Sequence, residues 1–310
     1  MKTKIVILGL GGVGGYYGGM LSRKYKDNPN IDVYFVARGA HLQNVKTFGL
    51  TVITETGIFV TNPTLATDKP AEIGIADYII VTTKSYDLDS TIEQIKPCIG
   101  KQTVVLPLLD GIDITTRIKE LLPDTEVWQG CTYVVSRLNE PGVVESSGNI
   151  HLIHFGCDNK TSSRLLFMEK IMKNAGFDIH FSNKIHSVIW RKFFFISPTA
   201  SLTSYFDVSF GALLTDETRK KTLLGLLQEL LLVARAENID IDDSIVGDVV
   251  RQLEELPFET TSSMHVDFRM KRKTELQTLT GIVVRLAKKH NINVPIYTDV
   301  YESLEKKINM

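Results

Sequence analysis

The apolar positions of the chain change rhythm once, near residue 183. Before that point they come in short runs separated by helical spacing. Ile5, Val6, Ile7 and Leu8 form a continuous, largely β-branched run, the pattern of a strand buried on both faces. Tyr16, Tyr17, Met20 and Leu21 continue as a helix. Residues 32–37, 76–83 and 103–109 repeat the buried-strand pattern. Residues 50–61 alternate polar and apolar, which predicts an antiparallel hairpin with Gly57 at its turn. Residues 128–137 and 143–155 predict two more strands. Pro141-Gly142 turns between them, and Asn149 with its neighbours predicts a further turn. Residues 162–174 predict an amphipathic helix closed by Gly176, and residues 177–181 an edge strand. The recurring strand–helix order predicts one mostly parallel sheet with a mixed edge.

After residue 183 the period becomes helical throughout. Ile185, Val188, Ile189, Phe193 and Ile196 share one helical face. Lys192 falls three and four residues after Ile189 and Val188, on the packed side, and Arg191 takes the solvent side. An ammonium on a packed face requires a partner or a function. Pro198 removes one helical hydrogen bond and leaves the Phe194 carbonyl free, which predicts a kink. Residues 215–236 predict a long helix and residues 244–253 another. Thr260-Thr261-Ser262-Ser263-Met264 enters a charged helix expected to run through Asp267, Arg269, Lys271, Arg272 and Lys273 to Glu275. Apolar spacing returns at Leu276, Leu279, Ile282, Val283 and Leu286, and residues 296–307 predict the last helix.

Chemistry enters directly after the first strand. Gly9, Gly11 and Gly14 stand in the order G-x-G-x-x-G, with Leu10, Gly12 and Val13 between and beside them. In a dinucleotide site Gly9 allows the tight turn, Gly11 lets backbone approach a pyrophosphate, and Gly14 lets the helix pack closely on the sheet. The helix N-terminus adds free N–H groups and a positive dipole end. A ligand-free glycine turn is the alternative, but strand before and helix after favour the dinucleotide reading. A secretory leader is not favoured, since glycines and tyrosines interrupt the apolar stretch and no small-residue cleavage site follows. The chain therefore reads as α/β: an N-terminal Rossmann-like dinucleotide-binding domain over residues 1–183, then an all-α domain over residues 184–310.

Arg38 ends the second strand, where an acidic residue would accept from an adenosine 2′-hydroxyl. No Asp or Glu occurs between Val33 and Glu55, so Arg38 favours a 2′-phosphate and NADP(H) over NAD(H). His41 and Lys46 follow closely, each read chiefly as surface. Lys84 and Asp110 stand at the carboxyl ends of later strands, where ligands of open α/β sheets collect. Lys84 can reach a ribose, a nicotinamide amide or a substrate carboxylate. Helix capping accounts equally well for Asp110.

Composition narrows the partners. The 310 residues carry a net charge of −1, which gives no electrostatic case for nucleic acid or an anionic membrane. No apolar run approaches the ~18 residues of a membrane span. Cys98, Cys131 and Cys157 give neither a metal spacing nor a disulfide framework, so no metal is expected and a reducing cytoplasm is. Cys131 reads as a small buried hydrophobe.

Over nearly its whole length the sequence resembles the ketopantoate reductase (2-dehydropantoate 2-reductase) family. The resemblance rests on the glycine motif at Gly9, on Arg38, on Thr83-Lys84-Ser85-Tyr86-Asp87 and on Leu109-Asp110-Gly111. Pro141-Gly142-Val143, Trp190-Arg191-Lys192-Phe193 and Ser262-Ser263-Met264 with Asp267, Thr274-Glu275 and Gly281 complete it. The resemblance implies NADPH-dependent reduction of 2-dehydropantoate to pantoate, in pantothenate and coenzyme A biosynthesis. It implies that Lys192 is the general acid, and that Lys84 and Asp110 touch the nicotinamide end of the cofactor and the substrate. Ser263, with Ser262 beside it, binds substrate on this reading, and Glu275 lies near the nicotinamide ribose and substrate hydroxyl. Two departures stand out. The family usually has asparagine where Asp110 stands, and a carboxylate there could repel an anionic 2-oxo acid. It also usually has asparagines four and eight residues after the lysine, where this chain has Ile196 and Ala200; Ser197, Thr199 or Ser201 could take their place.

The expected partner is a small 2-oxo acid, with no nucleic acid or membrane, and a homodimer is left open. A related reductase of another 2-oxo or hydroxy acid is the second reading, and a non-catalytic NADPH-binding sensor the third.

Overall fold

The computed structural model describes residues 2–308. They form two compact units. The first holds the chain through Leu109 and then Ile114–Ile185. The second holds Asp110–Asp113 and the chain from His186 on. The division thus falls at Ile185 and His186 rather than at 183, and four residues that follow a sheet strand belong to the helical unit.

The first unit is α/β. Its strands are β1 (Thr3–Leu8), β2 (Ile31–Val36), β3 (Leu50–Thr54), β4 (Gly57–Thr61), β5 (Leu65–Thr67), β6 (Tyr78–Val81), β7 (Val104–Pro107), β8 (Glu126–Val127), β9 (Gln129–Glu140), β10 (Val143–Gly156) and β11 (Asp178–Ser182). Its helices are α1 (Gly12–Tyr25), α2 (Gly39–Phe48), α3 (Leu88–Ile95), α4 (Ile114–Leu121) and α5 (Ser163–Asn174). A six-stranded parallel sheet runs β5-β2-β1-β6-β7-β8. Strand β1 explains why its sequence does not alternate. Ile5 and Ile7 enter one core and Val6 and Leu8 the other, so all four leave water. Burying such a side chain stabilises by about 1.5–3 kcal/mol.

The expected single sheet is in fact two. The hairpin β3–β4 and the strands β9, β10 and β11 form a separate mixed sheet in the order β11-β10-β3-β4, with β9 on the other side of β10. Helix α1 lies between the sheets, and its glycines make room on both sides. A Cβ on Gly18 would meet Ile7 and Phe35 of the parallel sheet, and one on Gly15 would meet Val144 of the mixed sheet. Tyr17 adds a hydrogen bond from α1 to Thr132 on β9. The turn expected at Asn149 is also absent: β10 runs on, and its register to β9 shifts between Ser147 and His151. With β9 paired on both sides of that point, the chain bulges instead of reversing.

The second unit is helical: α6 (Ile185–Phe206), α7 (Phe210–Thr215), α8 (Glu217–Ala236), α9 (Ile245–Glu255), α10 (Ser263–Arg269), a π-helical segment Gln277–Gly281, α11 (Ile282–Lys289) and α12 (Pro295–Ile308). Its core gathers Trp190, Phe193 and Phe194 of α6 with Leu223, Leu227 and Leu230 of α8 and Tyr297 and Leu304 of α12. Helix α6 continues through Pro198. The charged helix expected to reach Glu275 stops at Arg269. Lys271 takes φ +52, its N–H bonds Phe268 O at 3.0 Å, and the Arg272 N–H bonds Asp267 O at 2.8 Å. This is the paired-bond stop of a helix C-terminus, usually marked by glycine and here built on lysine. No helix of the described residues is long and apolar enough to cross a membrane.

Candidate active site

In the first unit the glycine turn is held by its neighbour strand. Gly9 sits at φ +94, and a Cβ there would lie 2.6 Å from Thr83 Cγ2 and 2.9 Å from Thr83 N. Thr82 Oγ1 donates to Gly9 O at 2.6 Å. A Cβ on Gly14 would run into Gly9 O and Thr82 Oγ1, and one on Gly12 into the Ser136 carbonyl. Gly11 differs. It is the N-cap of α1, at φ −73 and ψ −160, with no side-chain cap, and nothing lies within 4 Å of its added Cβ. Around Gly11 the loop is open, beside uncapped helical N–H groups. Those are the requirements of a pyrophosphate, so the residues 9–14 fit a dinucleotide. Thr83 opens the motif Thr83-Lys84-Ser85-Tyr86-Asp87 read from sequence, whereas Thr82 was not singled out. The signal for Thr82 is position alone: it directly follows β6, the strand next to β1.

Arg38 is the N-cap of α2, and its Nη2 donates to Asp87 Oδ2 at 2.9 Å. With the Arg38 side chain 84% exposed, such a pair contributes about 0–1 kcal/mol and yields readily to a phosphate. His41 adds no charge. Its Nδ1 accepts the Gly142 N–H at 2.8 Å, and burial pushes its pKa below the usual histidine value. Lys46 is exposed. Lys84 is half-buried, directly beyond β6 and before the turn Ser85–Asp87.

In the helical unit Lys192 is buried and Arg191 exposed, the division read from spacing. The Lys192 Nζ is hydrogen-bonded and ion-paired to Asp110 Oδ1. Asp110 arrives on the short segment Asp110–Asp113. Ile112 packs into the helical core, and Asp113 Oδ2 lies 3.7 Å from Arg285. The carboxylate expected to repel an anionic substrate therefore has a cation beside it. Glu275 is buried just before the π-helical segment, and its carbonyl accepts from the Leu279 and Thr278 N–H groups. Such insertions recur at functional positions.

The serines divide. Ser263 is exposed at the start of α10. Ser262 is its N-cap, accepting from the His265 N–H at 3.1 Å and bonding Thr203 Oγ1 at 2.9 Å. Ser197 is a correction. It is fully buried, donates to Leu279 O at 2.6 Å and pairs with Tyr297 Oη at 2.8 Å, so it joins helices rather than meeting a ligand. Thr199 and Ser201 likewise turn to carbonyls one turn back on α6. His265 was missed. Buried, it bonds Thr261 Oγ1 at 2.6 Å and Asp207 Oδ1 at 2.7 Å, fixing the turn that carries Ser263. Among the described residues no group of three or more His, Cys, Asp or Glu could hold a metal ion.

The chain thus joins an α/β unit with an open glycine turn to a helical unit with a buried lysine. The family model described as ketopantoate reductase PanE/ApbA matches residues 5–160, and its C-terminal counterpart matches residues 184–307. The chain belongs to the ketopantoate reductase family, whose members are oxidoreductases acting on CH–OH groups with a nicotinamide dinucleotide. It is 28% identical over 303 residues to the uncharacterized oxidoreductase YkpB of Bacillus subtilis, covering 97% of this chain and 98% of that one. The crystal structure of 2-dehydropantoate 2-reductase from Porphyromonas gingivalis W83 aligns with TM-score 0.87 and 35% identity, over 98% of this chain and 100% of that one. A D-mandelate dehydrogenase solved with NADH and anilino(oxo)acetate aligns with TM-score 0.85 and 25% identity, over 99% of both chains.

Proposed function

We propose that this protein reduces 2-dehydropantoate to pantoate with NADPH, in the cytoplasm, on the way to pantothenate and coenzyme A. The observation that carries the reading is the buried Lys192 ammonium, held by Asp110 in a chain that both halves of the family description span. The residues 9–14 bind the pyrophosphate, and Arg38 pairs with the 2′-phosphate in place of Asp87. Bound there, the reduced nicotinamide supplies hydride to the carbonyl carbon of the 2-oxo acid. Negative charge then grows on the carbonyl oxygen, and Lys192 stabilises it and donates the proton. On the family resemblance Ser263 serves the substrate, Lys84 the nicotinamide end of the cofactor, and Glu275 the substrate hydroxyl.

A second reading is reduction of a different 2-oxo acid. Ile196 and Ala200 on α6 offer no polar group, and the hydroxyls of Ser197, Thr199 and Ser201 are used within the helical unit. A substrate with an apolar side chain needs fewer such polar groups, and a D-mandelate dehydrogenase aligns with TM-score 0.85 and 25% identity. The decisive assay follows loss of NADPH absorbance with a panel of 2-oxo acids, 2-dehydropantoate first, with NADH as control. Highest kcat/KM on 2-dehydropantoate supports the first reading, and highest kcat/KM on an aryl or alkyl oxo acid supports the second. Cofactor binding without turnover of any oxo acid overturns both and leaves an NADPH sensor. Lys192→Ala is expected to cut turnover by ~100-fold or more while NADPH still binds.

A further inference from the structure

We propose that Asp110 is a positioning residue for Lys192: its carboxylate keeps the ammonium charged and aimed, and so sets the alkaline limit of the reaction. The inference rests on the reading above in which Lys192 donates the proton.

A lysine in a packed wall loses hydration, and burial favours its neutral amine unless an anion stands beside it. A neutral amine cannot protonate the developing alkoxide as an ammonium does. Asp110 supplies the anion, bonded directly to Nζ. It is not a wandering loop carboxylate. Gly111 follows at φ +128, Ile112 is packed in the helical core, and Asp113 faces Arg285. The segment is thus fixed on the far side of Asp110.

Other charged groups of the helical unit have other engagements. Arg191 on the same helix is exposed and acts on Asp242. His186 accepts from Trp190 Nε1 at 3.0 Å. Glu229 holds the first N–H groups of α12 at 2.8 and 2.9 Å. Asp267 lies 3.7 Å from Arg272. Glu275 is a further buried carboxylate of the unit and serves as the comparator.

The pair is also asymmetric. The Lys192 side chain is 9% exposed and that of Asp110 36%. Each turnover moves one proton from Nζ to the substrate oxygen, and one proton must return from solvent to the amine. Asp110 is the water-facing member of the pair and marks the side on which it returns. An asparagine at this position would keep the hydrogen bond and the shape and lose the charge.

The test compares wild type with Asp110→Asn, Asp110→Glu and Glu275→Gln. The first measurement is kcat/KM from pH 6 to pH 10, each variant checked by its thermal melt. The midpoint of the alkaline limb is expected to fall by about one to three pH units in D110N and to hold in D110E. Coincident limbs for wild type and D110N overturn the proposal, as does a limb moved by E275Q alone. The second measurement needs no substrate. The 13Cε resonance of Lys192, assigned by its loss in Lys192→Met, is titrated by NMR. Titration at lower pH in D110N than in wild type supports the pairing, and equal titration refutes it. If wild type reduces no oxo acid, the functional reading fails while the titration still decides the pairing.

Discussion

Two neighbouring glycines offer a sharp test of the dinucleotide turn, because the structure assigns them opposite costs. In Gly11→Ala the new methyl meets nothing within 4 Å, at a backbone conformation open to any residue. Lost freedom of the unfolded chain stabilises the variant by about 0.4–1 kcal/mol. Alanine is a poorer N-cap than glycine by a similar amount, roughly 0.5–1 kcal/mol. The two offset, so the melting temperature should stay within a few degrees of wild type. The methyl nonetheless occupies the approach to a pyrophosphate. Losing one or two charge-assisted hydrogen bonds of about 1.5–3 kcal/mol each raises Kd for NADPH by roughly 100-fold. In Gly9→Ala the methyl lands 2.6 Å from Thr83 Cγ2 at φ +94. Left-handed backbone costs about 1–2 kcal/mol and overpacking about 1–3 kcal/mol, so this variant loses stability first. Thermal melts with and without NADPH, beside a fluorescence titration, separate the cases. The reasoning fails if G11A binds NADPH as wild type does, or if G11A melts as low as G9A.

Other consequences are as direct. Arg38→Ala should weaken NADPH by ~10–100-fold at low salt and leave NADH unchanged, read by titration with both cofactors. Glu229→Ala strips the acceptor from the Ile296 and Tyr297 N–H groups at the start of α12 and should cost about 2–4 kcal/mol in denaturant unfolding. His41 supplies a pH dependence. Burial lowers its folded pKa beneath the unfolded 6.5, so its contribution is present above that value and lost as pH falls through the folded one. Unfolding free energy from pH 7.5 to pH 5 should therefore decline less in His41→Asn than in wild type.

The sequence carried the parts of this molecule that short-range geometry dictates. A β-branched run before spaced glycines has few solutions, and β1 with α1 follows. The burial of Lys192 was legible because helical spacing alone decides which of two adjacent cations faces inward. What escaped was decided by long-range pairing or by unmarked backbone. Nothing local to residues 50–61 says that β3 will lie beside β10, some ninety positions on, in a sheet of its own. Lys271 ends α10 in a conformation that glycine normally announces, so the charged run read as continuous helix. Ser197 looked available because a hydroxyl on a helix gives no sign of its partner. Its partners came from the segment after Glu275 and from α12.

The crossing of Asp110–Asp113 into the helical unit bears on how the molecule can be taken apart. A single cut near residue 185 yields a C-terminal fragment that keeps Lys192 and lacks its counter-ion, with a hole where Ile112 was. The loss of that buried ion pair and of a side chain packed on the core makes the fragment a poor independent folder. Modularity here is a property of space and not of the linear gene product. Swapping helical halves between relatives will succeed only when those four residues travel with the half they serve.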